Sequence, residues 1–105
     1  MIIQFNTDKT VSGKERGITY FTDLIEKDLE RFSSHVTRVE VHLSDENGKK
    51  EGHKDIRCLM EARIEGHQPI VVTSQENNVE KSVSEALVKL KASLKTIIGK
   101  ASNHK

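Results

Sequence analysis

The sequence predicts an α+β domain of two layers, in which two helices pack on one face of a four-stranded sheet. Two stretches carry apolar residues every three or four positions, as amphipathic helices do. Other segments alternate apolar with polar residues, which indicates strands that are buried on one side only. The predicted order is β-α-β-β-β-α, with the second face of the sheet open to water.

The first strand and the first helix occupy the N-terminal third of the chain. Ile2, Ile3 and Phe5 form a short apolar segment typical of a strand. Ser12 and Glu15 have the spacing of a capping box, so we expect the helix to begin there. Its apolar positions keep helical spacing to about residue 32 and comprise Ile18, Phe21, Leu24, Ile25, Leu29 and Phe32.

Two alternating strands are predicted next. From Val36 onward, Val39, Val41 and Leu43 alternate with polar residues. The polar segment 45–54 contains two glycines and is expected to be an exposed hairpin loop. In the following strand we expect one set of residues to face the core, namely Ile56, Cys58, Met60, Ala62 and Ile64. The other set is expected to face the solvent and comprises Arg57, Leu59, Glu61, Arg63 and Glu65.

A tight turn and a fourth strand complete the predicted sheet. We expect Gly66 and His67 to form a two-residue type II′ turn, because glycine tolerates the positive φ of its first central position. Pro69 is expected at the first residue of the last strand, which would run to about Ser74. The sequence therefore predicts antiparallel pairing of the last two strands.

The final helix is predicted to have an apolar stripe on one side and lysines on the opposite, solvent-facing side. Asn77 or Asn78 is expected to cap its first turn. The stripe comprises Val79, Val83, Ala86, Leu87, Leu90, Leu94, Ile97 and Ile98. The lysines are Lys81, Lys89, Lys91, Lys95 and Lys100, and no carboxylate side chain follows Glu85. Such a face is either a solvated surface or a contact for nucleic acid.

Length, charge and cysteine content bound the possible functions. The 105 residues suit one domain, assigned to residues 1–100, followed by a short flexible basic tail at 101–105. The net charge of +1, from 17 basic and 16 acidic residues, is low for a nucleic-acid-binding domain. A single cysteine excludes an internal disulfide, and the sequence has no secretory signal and no long apolar run. We therefore expect a cytoplasmic protein that does not contact membranes.

No group of residues has the spacing of a catalytic or metal site. The five histidines are not at zinc-like spacings, and Cys58 alternates with apolar residues as a core residue does. A phosphate-binding glycine loop and a nucleophile elbow are also missing. We therefore expect no enzyme activity, metal, cofactor or small-molecule substrate. With only four aromatic residues, any contact with RNA should involve its backbone rather than stacked bases.

Four segments carry a resemblance to a known family. They are Met1-Ile2-Ile3-Gln4-Phe5, Arg38-Val39-Glu40-Val41-His42-Leu43, Gly66-His67-Gln68-Pro69-Ile70 and residues 78–94. In these segments and in its order of elements, the chain resembles the bacterial ribosome hibernation promoting factor and ribosome-associated translation inhibitor family. The resemblance covers essentially the whole chain and implies a fold like that of double-stranded RNA-binding domains. It also implies binding to rRNA in the mRNA and tRNA channel of the small ribosomal subunit, which inhibits translation and stabilises inactive ribosomes under stress or in stationary phase.

The resemblance also implies which residues contact rRNA, because the family uses basic residues on its two helices. Carried onto this sequence, these residues are Lys27, Arg31, Lys81, Lys89, Lys91 and Lys95. The chain ends where long members of the family continue into a second, dimerising domain. It therefore resembles a short form, which we expect to be a monomer.

A second interpretation is a regulatory protein-binding module of the same fold that has lost ribosome binding. The first helix is acidic, and the chain has Val79 and Ala92 where relatives often have an aromatic and a basic residue. The contact surface would then be the solvent-facing side of the sheet. That side is predicted to carry Arg38, Glu40, His42, Arg57, Leu59 and Arg63.

Overall fold

The predicted fold class is confirmed by the computed structural model, which describes residues 1–7, 15–45 and 56–102. The strands are β1 (Ile2–Thr7), β2 (Val36–Asp45), β3 (Ile56–Ile64) and β4 (Ile70–Glu76). The helices are α1 (Glu15–Asp28) and α2 (Val79–Ser102), and a 3₁₀ turn (Glu30–Phe32) follows α1.

The strands form one mixed sheet in the order β1-β2-β3-β4. β1 and β2 are parallel, with Ile3 beside Val39 and Phe5 beside Val41. The other two neighbouring pairs are antiparallel. Parallel neighbours need a crossover connection, and α1 lies within this one. The pairing of the first two strands therefore places α1 against a face of the sheet.

One hydrophobic core lies between the sheet and the helices. α2 packs on β3 and β4, and α1 packs on β1, where the Phe5 and Phe21 rings stack with their centroids 6.2 Å apart. The buried apolar residues of the sheet are Val36, Val39, Val41, Leu43, Cys58, Met60, Ala62 and Ile64. Those of the helical layer are Ile25, Leu29, Phe32, Val83, Ala86, Leu87, Leu90, Leu94 and Ile98. Each large aliphatic side chain that is fully buried contributes about 1.5–3 kcal/mol, so this core is the main source of stability.

β2 departs from simple alternation at its start. Val36 and Arg38 are two residues apart, yet Val36 is fully buried and Arg38 is partly exposed. A shift of register between these two residues, of the kind that a β-bulge makes, lets Val36 pair with Ile64 and still face the core. The alternation predicted from Val39 onward is confirmed.

The predicted two-residue turn between β3 and β4 is wrong. The N–H of His67 donates to the carbonyl oxygen of Ile64 at 3.1 Å, so the turn is centred on Glu65 and Gly66. Gly66 has a φ of 80°, and a positive φ in the third position is what a type II turn requires. β4 then begins at residue 70, so Pro69 precedes the strand instead of opening it.

The first helix ends earlier than predicted. α1 stops at Asp28 and the 3₁₀ turn carries the chain to Phe32, because Leu29 has a ψ of 7° that lies outside the α-helical range. Leu29 and Phe32 are nevertheless buried as predicted, since a 3₁₀ turn also returns to the same side after three residues. The capping box at Ser12, most of the loop 45–54 and part of the tail lie outside the described residues.

The start of α2 is set by hydrogen bonds to side chains. Asn78 is the cap, because its side-chain oxygen accepts a hydrogen bond from the N–H of Lys81 at 2.8 Å. Ser82, which is fully buried, donates from Oγ to the carbonyl oxygen of Ile56 at 2.7 Å. Ser74 donates from Oγ to the carbonyl oxygen of Ser82 at 2.5 Å. The first turns of α2 are thereby joined to both β3 and β4.

We expect Ser82→Ala to lower the free energy of unfolding by about 1–3 kcal/mol, because it leaves the Ile56 carbonyl without its buried donor. Chemical denaturation followed by circular dichroism measures the change. Ser84→Ala is the matched control, since Ser84 is exposed on the same helix, and we expect a change within about 0.5 kcal/mol there. Equal effects of the two substitutions would contradict the anchoring role of Ser82.

Candidate nucleic-acid interface

The lysines of α2 face three different directions. Lys89 and Lys91 flank the fully buried Leu90, and at about 100° per residue they lie on opposite sides of the helix. Lys81 and Lys95 lie on the side away from Leu90, about 40° apart around the axis and about 21 Å apart along it. These two residues, both exposed, are called the outer lysines below.

Lys89 reaches from α2 to the edge of the sheet. Its Nζ donates to the carbonyl oxygen of Thr73 at 2.8 Å. Thr73 lies in β4, which is an edge strand of the sheet that the described residues form. Lys89 therefore makes a hydrogen bond within the protein itself. Its predicted role in rRNA binding did not include this contact.

Lys91 faces the first helix. Its Nζ lies 3.6 Å from Oδ2 of Asp28, the last residue of α1. Asp28 contributes to the acidic character predicted for the first helix, but nothing in the sequence pattern indicated which cation it would meet. The contact requires two residues 63 positions apart to be brought together by the packing of the two helices.

The two predicted site residues near α1 lie in different surroundings. Lys27 lines a shallow groove together with Met1 and three carboxylate residues, Asp23, Glu26 and Glu30. Arg31, in the 3₁₀ turn, has its guanidinium carbon 5.0 Å from the centre of the Phe32 ring. Such a cation–π contact restricts the side chain while it leaves the guanidinium accessible, and Arg31 is exposed.

Lys81 also has carboxylates nearby, since it lines a second shallow groove with Glu76, Glu80 and Glu85. Lys95 lies beyond the last carboxylate of α2 and one turn from Lys91. Lys91 therefore faces α1, whereas Lys95, one turn further along α2, faces the solvent. The structure does not join the six predicted residues into one basic patch, because acidic residues accompany Lys27, Lys81 and Lys91.

The open face of the sheet carries an ordered charged cluster, called the Glu40 network below. Its members are Gln4, Arg38, Glu40, His42 and Arg63. Arg38 Nε donates to Glu40 Oε2 at 2.9 Å, and Arg63 Nη2 lies 3.9 Å from the same oxygen. His42 Nε2 lies 3.5 Å from Glu40 Oε1, and Arg38 donates through Nη2 to the side-chain oxygen of Gln4. The network spans β1, β2 and β3.

Strand register explains why Glu40 is the centre of this network. Arg38 lies beside Arg63, and Glu40 lies beside Glu61, so each cross-strand pair carries like charges. The Glu40 carboxylate meets both arginines and so offsets their repulsion. Alternation along β2 and β3 predicts that these residues share one exposed face, but it does not predict the network, because the register of the two strands is not readable from alternation alone.

The described residues offer little other chemistry. No group of three or more His, Cys, Asp or Glu residues is placed to hold a metal ion in residues 1–7, 15–45 and 56–102. Over the same ranges, no helix has the length and apolar character to span a membrane. Cys58 is fully buried in the core, as expected, and its burial raises the pKa of the thiol to about 12.

A small domain in which two helices cover one face of a mixed four-stranded sheet also occurs in solved structures. The N-terminal domain of Protein Y from Thermus thermophilus matches with a TM-score of 0.73 and 16% identity, over 92% of this chain and 99% of that chain. A ribosomal subunit interface protein from Coxiella burnetii matches with a TM-score of 0.69 and 16% identity, over 94% of this chain and 99% of that chain. At this identity, the likeness shows a shared fold.

The family itself follows from the sequence. The sequence profile of the family described as Sigma 54 modulation protein / S30EA ribosomal protein matches residues 19–102, and the chain belongs to this family. The resemblance set out in the sequence analysis is thereby confirmed. A comparison with curated protein sequences gives no match.

The Glu40 network should make stability depend on pH. The hydrogen bond from Arg38, followed by the charges of Arg38, Arg63 and His42, holds the pKa of Glu40 below its usual value of 4.5. A lowered pKa in the folded state gives stability that is present above about pH 4.5 and is lost as the pH falls through the folded-state value. We therefore expect denaturation midpoints of the wild type to fall more steeply below pH 4.5 than those of Glu40→Gln.

Glu61→Gln is the control for this prediction, because it removes a carboxylate from the neighbouring position on the same face. It should keep the pH dependence of the wild type. Parallel pH profiles for Glu40→Gln and the wild type would contradict the role given to Arg38 and Arg63.

Cys58 should be inert toward thiol reagents in the folded protein. Its raised pKa leaves almost no thiolate at pH 8, and its burial prevents access. We expect modification at pH 8 to be at least about a hundredfold slower than in guanidinium chloride, as measured by release of a coloured thiol product. Comparable rates in the folded and unfolded states would show that the core around Cys58 opens readily.

Proposed function

We propose that this protein binds rRNA in the mRNA and tRNA channel of the small ribosomal subunit, inhibits translation and stabilises inactive ribosomes under stress or in stationary phase. Membership of the family and the shared fold support ribosome binding in general. The observation that carries the finer proposal is the exposed lysine face of α2, where the outer lysines Lys81 and Lys95 project away from the core. The proposed action is non-catalytic, by a cytoplasmic monomer that occupies the channel.

The affinity would come from phosphate neutralisation by lysine. Each phosphate contact releases counterions, so the affinity should fall steeply as salt rises. A net charge of +1 provides little attraction at long range, so binding must depend on lysines that touch phosphate directly. We therefore expect tight binding at low salt and a marked loss at moderate salt.

The surroundings of the lysines favour one orientation on the RNA. The groove at α1 has three carboxylates around Lys27, and these would repel phosphate. The C-terminal half of α2 carries lysines and no carboxylate side chain, since Glu80 and Glu85 both lie in the N-terminal half. We propose that the side of α2 with the outer lysines faces the rRNA backbone. Lys95 is its stronger contact because Lys81 has carboxylates nearby, and Lys27 contributes little.

The decisive measurement is cosedimentation with purified small ribosomal subunits at several salt concentrations. We expect Lys81→Gln/Lys95→Gln to weaken binding at every salt concentration and to reduce the slope of log K against log salt by about 1–2, because each lost lysine removes about one phosphate contact. Translation in a purified system should be inhibited by the wild type and inhibited less by this variant.

Lys27→Gln/Arg31→Gln is the matched control, since it also removes two positive charges, from α1 and from the 3₁₀ turn that follows it. Its binding should be weakened less than that of the α2 variant. If the two variants lost the same affinity, binding would depend on the total positive charge and not on its position, and the proposed orientation would be refuted. Absence of the wild type from the ribosomal fraction at every salt concentration would refute the function itself.

A protein-binding module remains the second candidate, and the Glu40 network is the observation that favours it. The network fixes Arg38 and Arg63 on an open sheet face, as a rigid charged contact surface would need. In that case Arg63→Ala should weaken partner binding while the outer-lysine variant leaves it unchanged. The reverse result supports the ribosomal role.

A further inference from the structure

The ion pair between Asp28 and Lys91 is a contact at the seam between the two helices. The atoms Oδ2 and Nζ are 3.6 Å apart, and the side chains are 36% and 40% exposed. An ion pair as exposed as this contributes little to the stability of a folded protein. The core beneath it already holds the helices on the sheet, so the pair is not needed for packing.

The position of Asp28 is electrostatically unfavourable for α1 itself. Asp28 is the last residue of the helix, where the helix dipole disfavours a carboxylate and favours a cation. Lys91 supplies the missing positive charge from the neighbouring helix. The pair therefore places a carboxylate at the edge of the face that carries Lys95, one turn further along α2.

We propose that Asp28 competes with RNA phosphate for Lys91 and so limits the affinity of the α2 surface. This inference rests on the proposed binding of rRNA by α2. A phosphate that contacts Lys91 displaces the Asp28 carboxylate or shares the ammonium group with it, and both arrangements weaken the contact. Lys95 follows Lys91 by one turn of α2, so we expect a phosphate there to meet part of the same repulsion.

Removal of this carboxylate should therefore strengthen binding rather than weaken it. We expect Asp28→Asn to bind small ribosomal subunits about fivefold more tightly at low salt. We also expect the slope of log K against log salt to steepen by about 0.7–0.9, because Lys91 becomes available for one more phosphate contact. Both values come from one salt titration of binding to purified subunits.

Asp23→Asn is the matched control, because it makes the same change in net charge on the same helix. Asp23 lies about 140° around α1 from Asp28 and lines the groove that contains Met1 and Lys27. We expect its affinity to change by less than about twofold and its salt slope to stay that of the wild type. Comparison of the two variants separates the effect on affinity of the Asp28–Lys91 contact from the effect of a more positive net charge.

The same titration in a Lys91→Gln background tests whether the effect passes through Lys91. There, Asp28→Asn should lose its additional phosphate contact and most of its gain in affinity. If wild type binds but Asp28→Asn equals Asp23→Asn, or binds more weakly than wild type, the inference is refuted and the proposed function stands. If no variant binds at any salt concentration, the proposed function fails and the inference fails with it.

Discussion

The parallel pairing of β1 with β2 is the constraint on which the rest of the structure depends. An antiparallel pair can be closed by a tight turn, whereas a parallel pair needs a crossover, and here the crossover contains α1. Because β2, β3 and β4 then follow as antiparallel neighbours, α2 returns over β3 and β4 and shares one core with α1. The end of α1 meets the middle of α2, where Asp28 pairs with Lys91. The contact between the two helices thus follows from the direction of one strand.

The rotation of α2 about its own axis decides what each lysine can do. Ser82 and Lys89 lie on the same side of the helix, and both are bonded to the sheet, through the Ile56 and Thr73 carbonyls. Because the Ser82 bond is buried, a rotated helix would leave a polar group without a partner, which costs more than the bond itself contributes. The serine therefore helps to direct Lys91 toward α1 and the outer lysines toward solvent. The buried Ser82 thus influences the direction of the surface residue Lys91, because both lie on the same rigid helix.

Sequence reasoning succeeded where the physics is local and periodic. The inward positions of β3, the apolar stripe of α2 and a cap at Asn77 or Asn78 were predicted from spacings within a single element. The first two are confirmed, and Asn78 is the one of the two asparagines that caps the helix. It failed at the β3–β4 turn, where Gly66 stands in the third position of the turn and not in the second. Glycine tolerates a positive φ at either position, so its presence alone does not determine the turn type.

The candidate site was predictable only in part, for a related reason. Periodicity places Lys89 and Lys91 outside the core, but it carries no information on Thr73 or Asp28, which lie on other elements. The net charge of +1 is also a poor guide to where RNA could bind. It is the sum of an acidic groove at α1 and a C-terminal half of α2 that has lysines but no carboxylate. Screening limits electrostatic effects to about 8–10 Å at ordinary salt, so an anion near any one lysine would respond to the charges around that lysine and not to those of the whole chain. For a domain whose charged surfaces differ this much, the local arrangement of charge decides whether RNA is attracted or repelled.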